Sequence, residues 1–220
     1  IFESYLDEQK EGGLLTSQTG FFESEIWNML YEFQQDGVKG AINKILKHNG
    51  CIIADSVGLG KTFEALAVIR YFELLNYRIL VLCPKKLSGN WTIYQSSKNN
   101  NLNPFKNDKF NYHVLYHTDM GRLHGNSDAD NHDLSNFNWG AYDLVVIAES
   151  HNFRGNPRDK ANDDGTFRMN RAKWLMEKIL KEGVNSKVLM LSATPVNNNL
   201  RDLRNQFQLI TKGNNAALFE

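Results

Sequence analysis

Three short stretches of this 220-residue chain hold side chains suited in type and spacing to phosphate chemistry. The first is Asp55-Ser-Val-Gly58-Leu-Gly60-Lys61-Thr62, set between an apolar run and a helical pattern. A glycine turn that opens into a helix aims backbone N–H groups at one point, and glycines let an anion come close. In a cradle built from Val57, Gly58, Leu59, Gly60, Lys61 and Thr62, the Lys61 ammonium would reach the β- and γ-phosphates. The Thr62 hydroxyl would take a Mg²⁺ position. The strict phosphate-loop pattern has glycine where Asp55 stands, so this is a variant of it. The second stretch is Asp143-Leu-Val-Val-Ile147-Ala148-Glu149-Ser150-His151. A strand ending in an acidic residue is how phosphate-cradle ATPases set a carboxylate beside the metal and the attacking water, which makes Glu149 the candidate for polarising that water. The third is Leu191-Ser192-Ala193-Thr194-Pro195. Its small hydroxyl residues could hydrogen-bond to the Glu149–His151 segment; taken alone, it is also a Ser/Thr turn stopped by Pro195.

The elements that must position these stretches are legible from the apolar pattern. Cys51–Ala54, Ile79–Cys83, Tyr112–Tyr116, Leu144–Ile147 and Val188–Leu191 are short and Val/Ile/Leu-rich, without polar alternation. Strands buried on both faces look like this, and parallel sheets covered by helices contain them. Helical patterns fall between, over 23–48, Thr62–Leu75, Asn170–Lys181 and Asn199–Ile210; in the first, Val38, Ala41, Ile42, Ile45 and Leu46 share one face. The alternation predicts an α/β fold, a doubly wound and mostly parallel sheet with helices on both faces. Such sheets bind ligands beyond the carboxyl ends of their strands, where all three stretches lie. Lys98–Asn111 and Arg122–Asn138, rich in Asn, Asp and Gly, read as exposed loops, and residues 1–22 as a lead-in to a domain spanning 23–220.

Composition bounds the function. Lys plus Arg and Asp plus Glu each number 25, so the chain has no formal net charge, which argues against binding polyanions by bulk charge but leaves room for a local basic groove. No apolar run approaches the roughly 18 residues of a membrane span, and no signal peptide is visible. The only cysteines, Cys51 and Cys83, sit in apolar runs and read as buried thiols. His113, His117, His124 and His132 lack the regular spacing and the Cys partners of a metal site and read as surface histidines. Trp91 and Trp174 read as packing residues, and Phe33 as an aromatic that faces either a base or the core. The chain opens on Ile1 rather than Met and ends at Glu220, which reads as a piece of a longer protein.

Taken in order, Phe33-Gln34, Asp55–Thr62, Leu82-Cys-Pro-Lys85, Ala148-Glu-Ser-His151 and Ser192-Ala-Thr194 resemble the first RecA-like, P-loop NTPase lobe of superfamily-two helicases. The resemblance covers about residues 30–210 and is strongest to the Swi/Snf-type DNA translocases, notably bacterial ones. It implies ATP and Mg²⁺ as cofactors, hydrolysis coupled to movement on duplex DNA, and a cytoplasmic, nucleoid-associated setting. By position, it implies that Gln34 reads the adenine edge, that Lys61, Thr62 and Glu149 handle phosphate, metal and catalysis, and that His151, Ser192 and Thr194 couple. It also implies that Pro84, Lys85 and Lys86 touch the nucleic-acid backbone. Arg154, near the acidic motif, is given no role.

Two departures from the family pattern carry consequences. Ala148 stands where the family has an Asp that holds Mg²⁺, and a methyl group supplies no ligand. With Lys61, Thr62 and Glu149 all present, the expectation is an engineered inactivating change ahead of a natural pseudo-ATPase. The second departure is the partner lobe, whose arginines are worth about 10³–10⁵ in rate and which has no room after Thr211. The chain alone is therefore expected to bind nucleotide weakly and not to turn it over. An RNA-directed helicase lobe and a nucleotide-switched scaffold without catalysis are the competing readings.

Overall fold

Five apolar strands build the centre of the molecule in the computed structural model, which describes residues 20–214 apart from 55, 57, 99, 123, 156, 162–166 and 195–199. They are β1 (Gly50–Ile53), β2 (Ile79–Cys83), β3 (His113–Tyr116), β4 (Leu144–Ala148) and β7 (Lys187–Leu191). Every pairing among them is parallel, and the order across the sheet is β1-β7-β4-β2-β3. The helices are α1 (Glu25–Met29), α2 (Glu32–His48), α3 (Lys61–Leu74), α4 (Gly89–Thr92), α5 (Arg171–Trp174) and α6 (Leu200–Ile210). The doubly wound α/β architecture expected from the apolar runs is the one observed.

Because side chains alternate along a strand, each strand feeds two cores. Val81, Cys83, Val114, Val146, Ala148 and Leu191 face α2 and α3, while Leu82, Leu115, Val145, Ile147 and Met190 face the segment after α5 and the end of α6. Helix α3 is apolar nearly all round, from Ala65 to Phe72, and is accordingly buried. Helix α2 ends as its sequence directs, with Lys47 and His48 in the last turn and Asn49 in the left-handed region at φ 61°.

Several expectations change in detail. The helical pattern over 23–48 is broken at Leu30 and Tyr31, which are extended and separate α1 from α2. The lead-in is described only from residue 20, and there Phe21 already belongs to the core, its ring 5.0 Å from Trp27 and 5.4 Å from Tyr71. Lys98–Asn111 is not a plain exposed loop. Phe105 and Phe110 are buried, and the buried Asp108 carboxylate accepts the N–H groups of Glu25 and Ile26 at 2.9 and 2.8 Å. The helix over Asn170–Lys181 begins with Asn170 as its N-cap and widens into a π-helix at Leu175–Lys181. An antiparallel hairpin of β5 (Asp159–Ala161) and β6 (Phe167–Met169) precedes it, short, exposed and without a strand-like sequence pattern. No helix among the described residues is long and apolar enough to cross a membrane.

His117 is not a surface histidine. It is 3% exposed, hydrogen-bonded through Nε2 to the Leu82 carbonyl at 3.2 Å and packed edge-on to Phe153. Burial lowers its pKa to about 4. Unfolded, the imidazole titrates near 6.5, so between those values the unfolded chain binds a proton that the folded one refuses. This contributes about 3 kcal/mol that is present above pH ~6.5 and lost as pH falls towards 4. Burial acts oppositely on Glu73, raising it from 4.5 to about 7, so there stability is lost as pH rises through that window. The two contributions offset one another between pH ~4.5 and ~6.5. Urea midpoints for Glu73→Gln are therefore expected to fall more steeply on acidification than those of the wild type; a parallel pH profile would contradict this.

Candidate functional site

The register brings the three chemical stretches level. Leu191 of β7 pairs with Ile53 of β1 on one side and with Ala148 of β4 on the other. The last residues of these strands thus stand abreast, with β1 and β4 roughly 9.6 Å apart across β7. Ser192 N–H donates to the Ile53 carbonyl at 3.2 Å, which continues the alignment one residue past the sheet. Pro84–Lys86 leave β2, the neighbour of β4, on the same edge.

The cradle has the backbone of an anion site. Gly58 and Gly60 lie at φ 88° and 81°, in the region that favours glycine, and Gly60 caps α3. A Cβ on Gly60 would also come within 2.5 Å of Gln34 Nε2. Lys61 Nζ donates to the Ser56 carbonyl at 2.8 Å, so the ammonium lies over its own loop. Leu59 is exposed at the turn, Thr62 is the second residue of α3, and Val57 lies outside the described residues.

Gln34 is tied to this loop. Its Oε1 accepts the Tyr31 N–H at 3.0 Å and its Nε2 donates to the Leu59 carbonyl at 2.9 Å. The residue is 5% exposed and braces the cradle from α2, with these two bonds using one amide hydrogen and one lone pair of its side chain. Phe33 is exposed and stacks on Tyr31 at 6.1 Å and 7°, outside the core.

Glu149 adopts φ 53°, ψ 52°, a left-handed conformation that an unbranched acidic side chain seldom takes and that stores about 1 kcal/mol of strain. The following turn, Ser150–Phe153, is held by α6: the buried Ser150 hydroxyl donates to Gln206 Oε1 at 2.8 Å, and Asn205 Nδ2 donates to the Arg154 carbonyl at 2.6 Å. His151 Nδ1 lies 3.2 Å from Glu149 Oε2. Ser192 Oγ accepts the Thr194 N–H at 3.2 Å in a local turn, and Pro195 is outside the described residues. The bonds that fix the acidic turn thus come from α6, which the sequence marks as a helix but not as a support of this turn. Removing the acceptor with Gln206→Leu leaves a buried hydroxyl unpaired and is expected to cost about 1–3 kcal/mol, read as a lower urea midpoint. A midpoint equal to the wild type's would show that the pair does not hold the turn.

Of the basic residues expected to meet nucleic acid, Lys85 pairs with Asp128 at 3.0 Å in an exposed salt bridge, and Lys86 is exposed. Solvent screening makes such a pair easy to exchange for a phosphate. Among the described residues no cluster of His, Cys, Asp and Glu could hold a metal on its own. The cradle's glycines and ammonium suit a triphosphate; Thr62 and Glu149 would be the donors for its Mg²⁺, with a methyl group, 4% exposed, at position 148.

A family model described as the SNF2-related domain matches residues 24–216, nearly the whole chain. The chain belongs to the SNF2-related domain family. Within it, this SNF2-related domain is 29% identical over 146 residues to a Mus musculus DNA annealing helicase and endonuclease, ZRANB3, covering 61% of this chain and 13% of that protein. It is 26% identical over 192 residues to the Danio rerio chromodomain-helicase-DNA-binding protein 1-like, covering 79% of this chain and 16% of that protein. The domain therefore spans about a seventh of the length of such relatives. Its fold matches the Sulfolobus solfataricus SWI2/SNF2 ATPase core in complex with dsDNA at a TM-score of 0.53 and 18% identity, over 84% of this chain and 36% of that one. The RecA-like lobe expected from the motif order is the fold observed.

Proposed function

We propose that this domain is the ATP-binding lobe of a DNA-dependent ATPase that couples hydrolysis to movement on duplex DNA. The observation that supports this best is the level register of β1, β7 and β4, which sets the phosphate cradle, Ser192 and Glu149 along one edge. The cradle N–H groups and Lys61 would grip the β- and γ-phosphates, with Gln34 bracing the loop and offering its free amide valences to adenine. Thr62 and Glu149 would hold Mg²⁺, which screens phosphate charge when bound. Glu149 would orient the attacking water and accept its proton, held in place by the turn that α6 buttresses. His151, Ser192 and Thr194 would relay nucleotide state, and Pro84, Lys85 and Lys86 would meet the backbone of DNA, the substrate named for the relatives. A second RecA-like lobe of the same polypeptide would complete the site.

Ala148 favours a second reading, in which nucleotide binding is a switch and hydrolysis is absent. The test compares ATPase of the intact protein, as wild type and as Ala148→Asp, with duplex DNA, single-stranded DNA or RNA added. Strongest stimulation by duplex DNA supports the proposal, and stimulation by RNA alone supports an RNA-directed lobe. No stimulation by any polymer, with ATP still bound, supports the switch.

A further inference from the structure

We propose that the β5–β6 hairpin and the first turn of α5 form a second contact for the phosphodiester backbone of duplex DNA, separate from Pro84–Lys86; this rests on the DNA reading above. The residues are Arg158, Lys160, Arg168 and Arg171, all exposed, lining with Phe167 a groove of about 960 Å³. Thr118 and Asn152, which follow β3 and β4, also line it, so the groove opens on the same edge of the sheet as the cradle.

The charge pattern works against the fold that carries it. Lys160 and Arg168 are direct cross-strand partners in the antiparallel pair, so two cations stand opposite each other on one face. Like charges so placed are destabilising, and a two-stranded hairpin has little stability to spare. Among the described residues no carboxylate pairs with either of them or with Arg158 or Arg171. The hairpin's described acid, Asp159, is held instead by Lys173 at 2.6 Å. Over 154–173 the sequence has six Arg and Lys against three Asp, two of which, Asp163 and Asp164, fall between the strands, in a chain with no formal net charge. A polyanion relieves this repulsion and supplies the missing partners.

The groove is also built to hold its shape at the base. The Asn170 N–H donates to the Arg158 carbonyl at 2.9 Å, and Asn170 Oδ1 accepts the N–H groups of Arg158 at 3.2 Å and Lys173 at 2.8 Å. Phe167, 74% exposed and next to Arg168 in the chain, adds an apolar surface to the lining of the same groove, and apolar and cationic groups together are how proteins pack against sugar and base while neutralising phosphate.

The test measures binding of the intact protein to a mixed-sequence duplex by anisotropy across a salt series. Lys160→Ala with Arg168→Ala is expected to weaken binding about tenfold or more at low salt. The slope of log K against log salt should be shallower by about 2, at roughly 0.9 for each phosphate that is no longer neutralised. Affinity for a fluorescent ATP analogue should be unchanged, and the thermal midpoint equal or higher because the repulsion is gone. The charge-conserving Lys160→Arg should keep the wild-type slope. A double variant that binds DNA with wild-type affinity and slope overturns this inference alone. A wild type that binds no duplex, or binds only RNA, overturns the DNA reading and this contact with it.

Discussion

Ala148→Asp in the full-length protein is expected to raise DNA-stimulated ATP hydrolysis by about 10²–10³-fold, the rate equivalent of ~3–4 kcal/mol of transition-state stabilisation. Ala148 ends β4 in register with Leu191, one strand away from β1 and the cradle, and Glu149 follows it at φ 53°. On the proposed reading, an Asp here would add a second carboxylate for Mg²⁺ beside Glu149. The same substitution carries a stability signature of opposite sign. A carboxylate at a position 4% exposed, in the apolar cluster of Val146 and Leu191, is expected to cost about 1–3 kcal/mol without ligand. Mg²⁺ with a non-hydrolysable ATP analogue should then raise the melting temperature of the Asp variant more than that of the wild type. Hydrolysis that stays at the Ala148 level would end the claim that this position alone withholds catalysis.

What the sequence could reveal followed from how strongly each feature is dictated locally. Runs such as Ile79–Cys83 and Leu144–Ala148 are buried on both faces, and their shortness and Val/Ile/Leu content between turn residues separate such covered parallel strands from the longer buried helix α3. The placement of Lys61 and Glu149 is legible because a helix start and a strand end fix their neighbourhoods within a few residues. Gln206 was not, since its role exists only where α6 packs on the turn after β4, 56 residues away in sequence. His117 was misjudged for a related reason: its burial comes from Leu82 and Phe153, which its own polar surroundings do not announce. Lys98–Asn111 misled through composition, its many polar residues hiding the two aromatic anchors Phe105 and Phe110. The hairpin at 159–169 shows the limit most plainly, because paired cations are what a strand-forming sequence should avoid.

Lys61→Met is expected to weaken ATP-analogue binding by about 10–100-fold, while leaving the thermal midpoint unchanged or slightly raised. A cation in the first turn of a helix opposes the helix dipole and costs about 0.3–1 kcal/mol. Lys61 is the first residue of α3, so for stability alone its charge is at the wrong end of the helix. Its ammonium donates to the Ser56 carbonyl at 2.8 Å, which keeps it over the loop. A bound phosphate reverses the electrostatic account: the helix N-terminus and Lys61 then act on the same anion, and a hydrogen bond between charged groups there is worth about 1.5–3 kcal/mol. Methionine keeps most of the stem and removes the charge, so binding and stability should move in opposite directions. Isothermal titration with the analogue, beside a thermal melt of the same sample, reads both. Unchanged affinity would mean that the cradle ahead of α3 does not grip a triphosphate, and a large loss of stability would mean that Lys61 is there to hold the loop rather than the ligand.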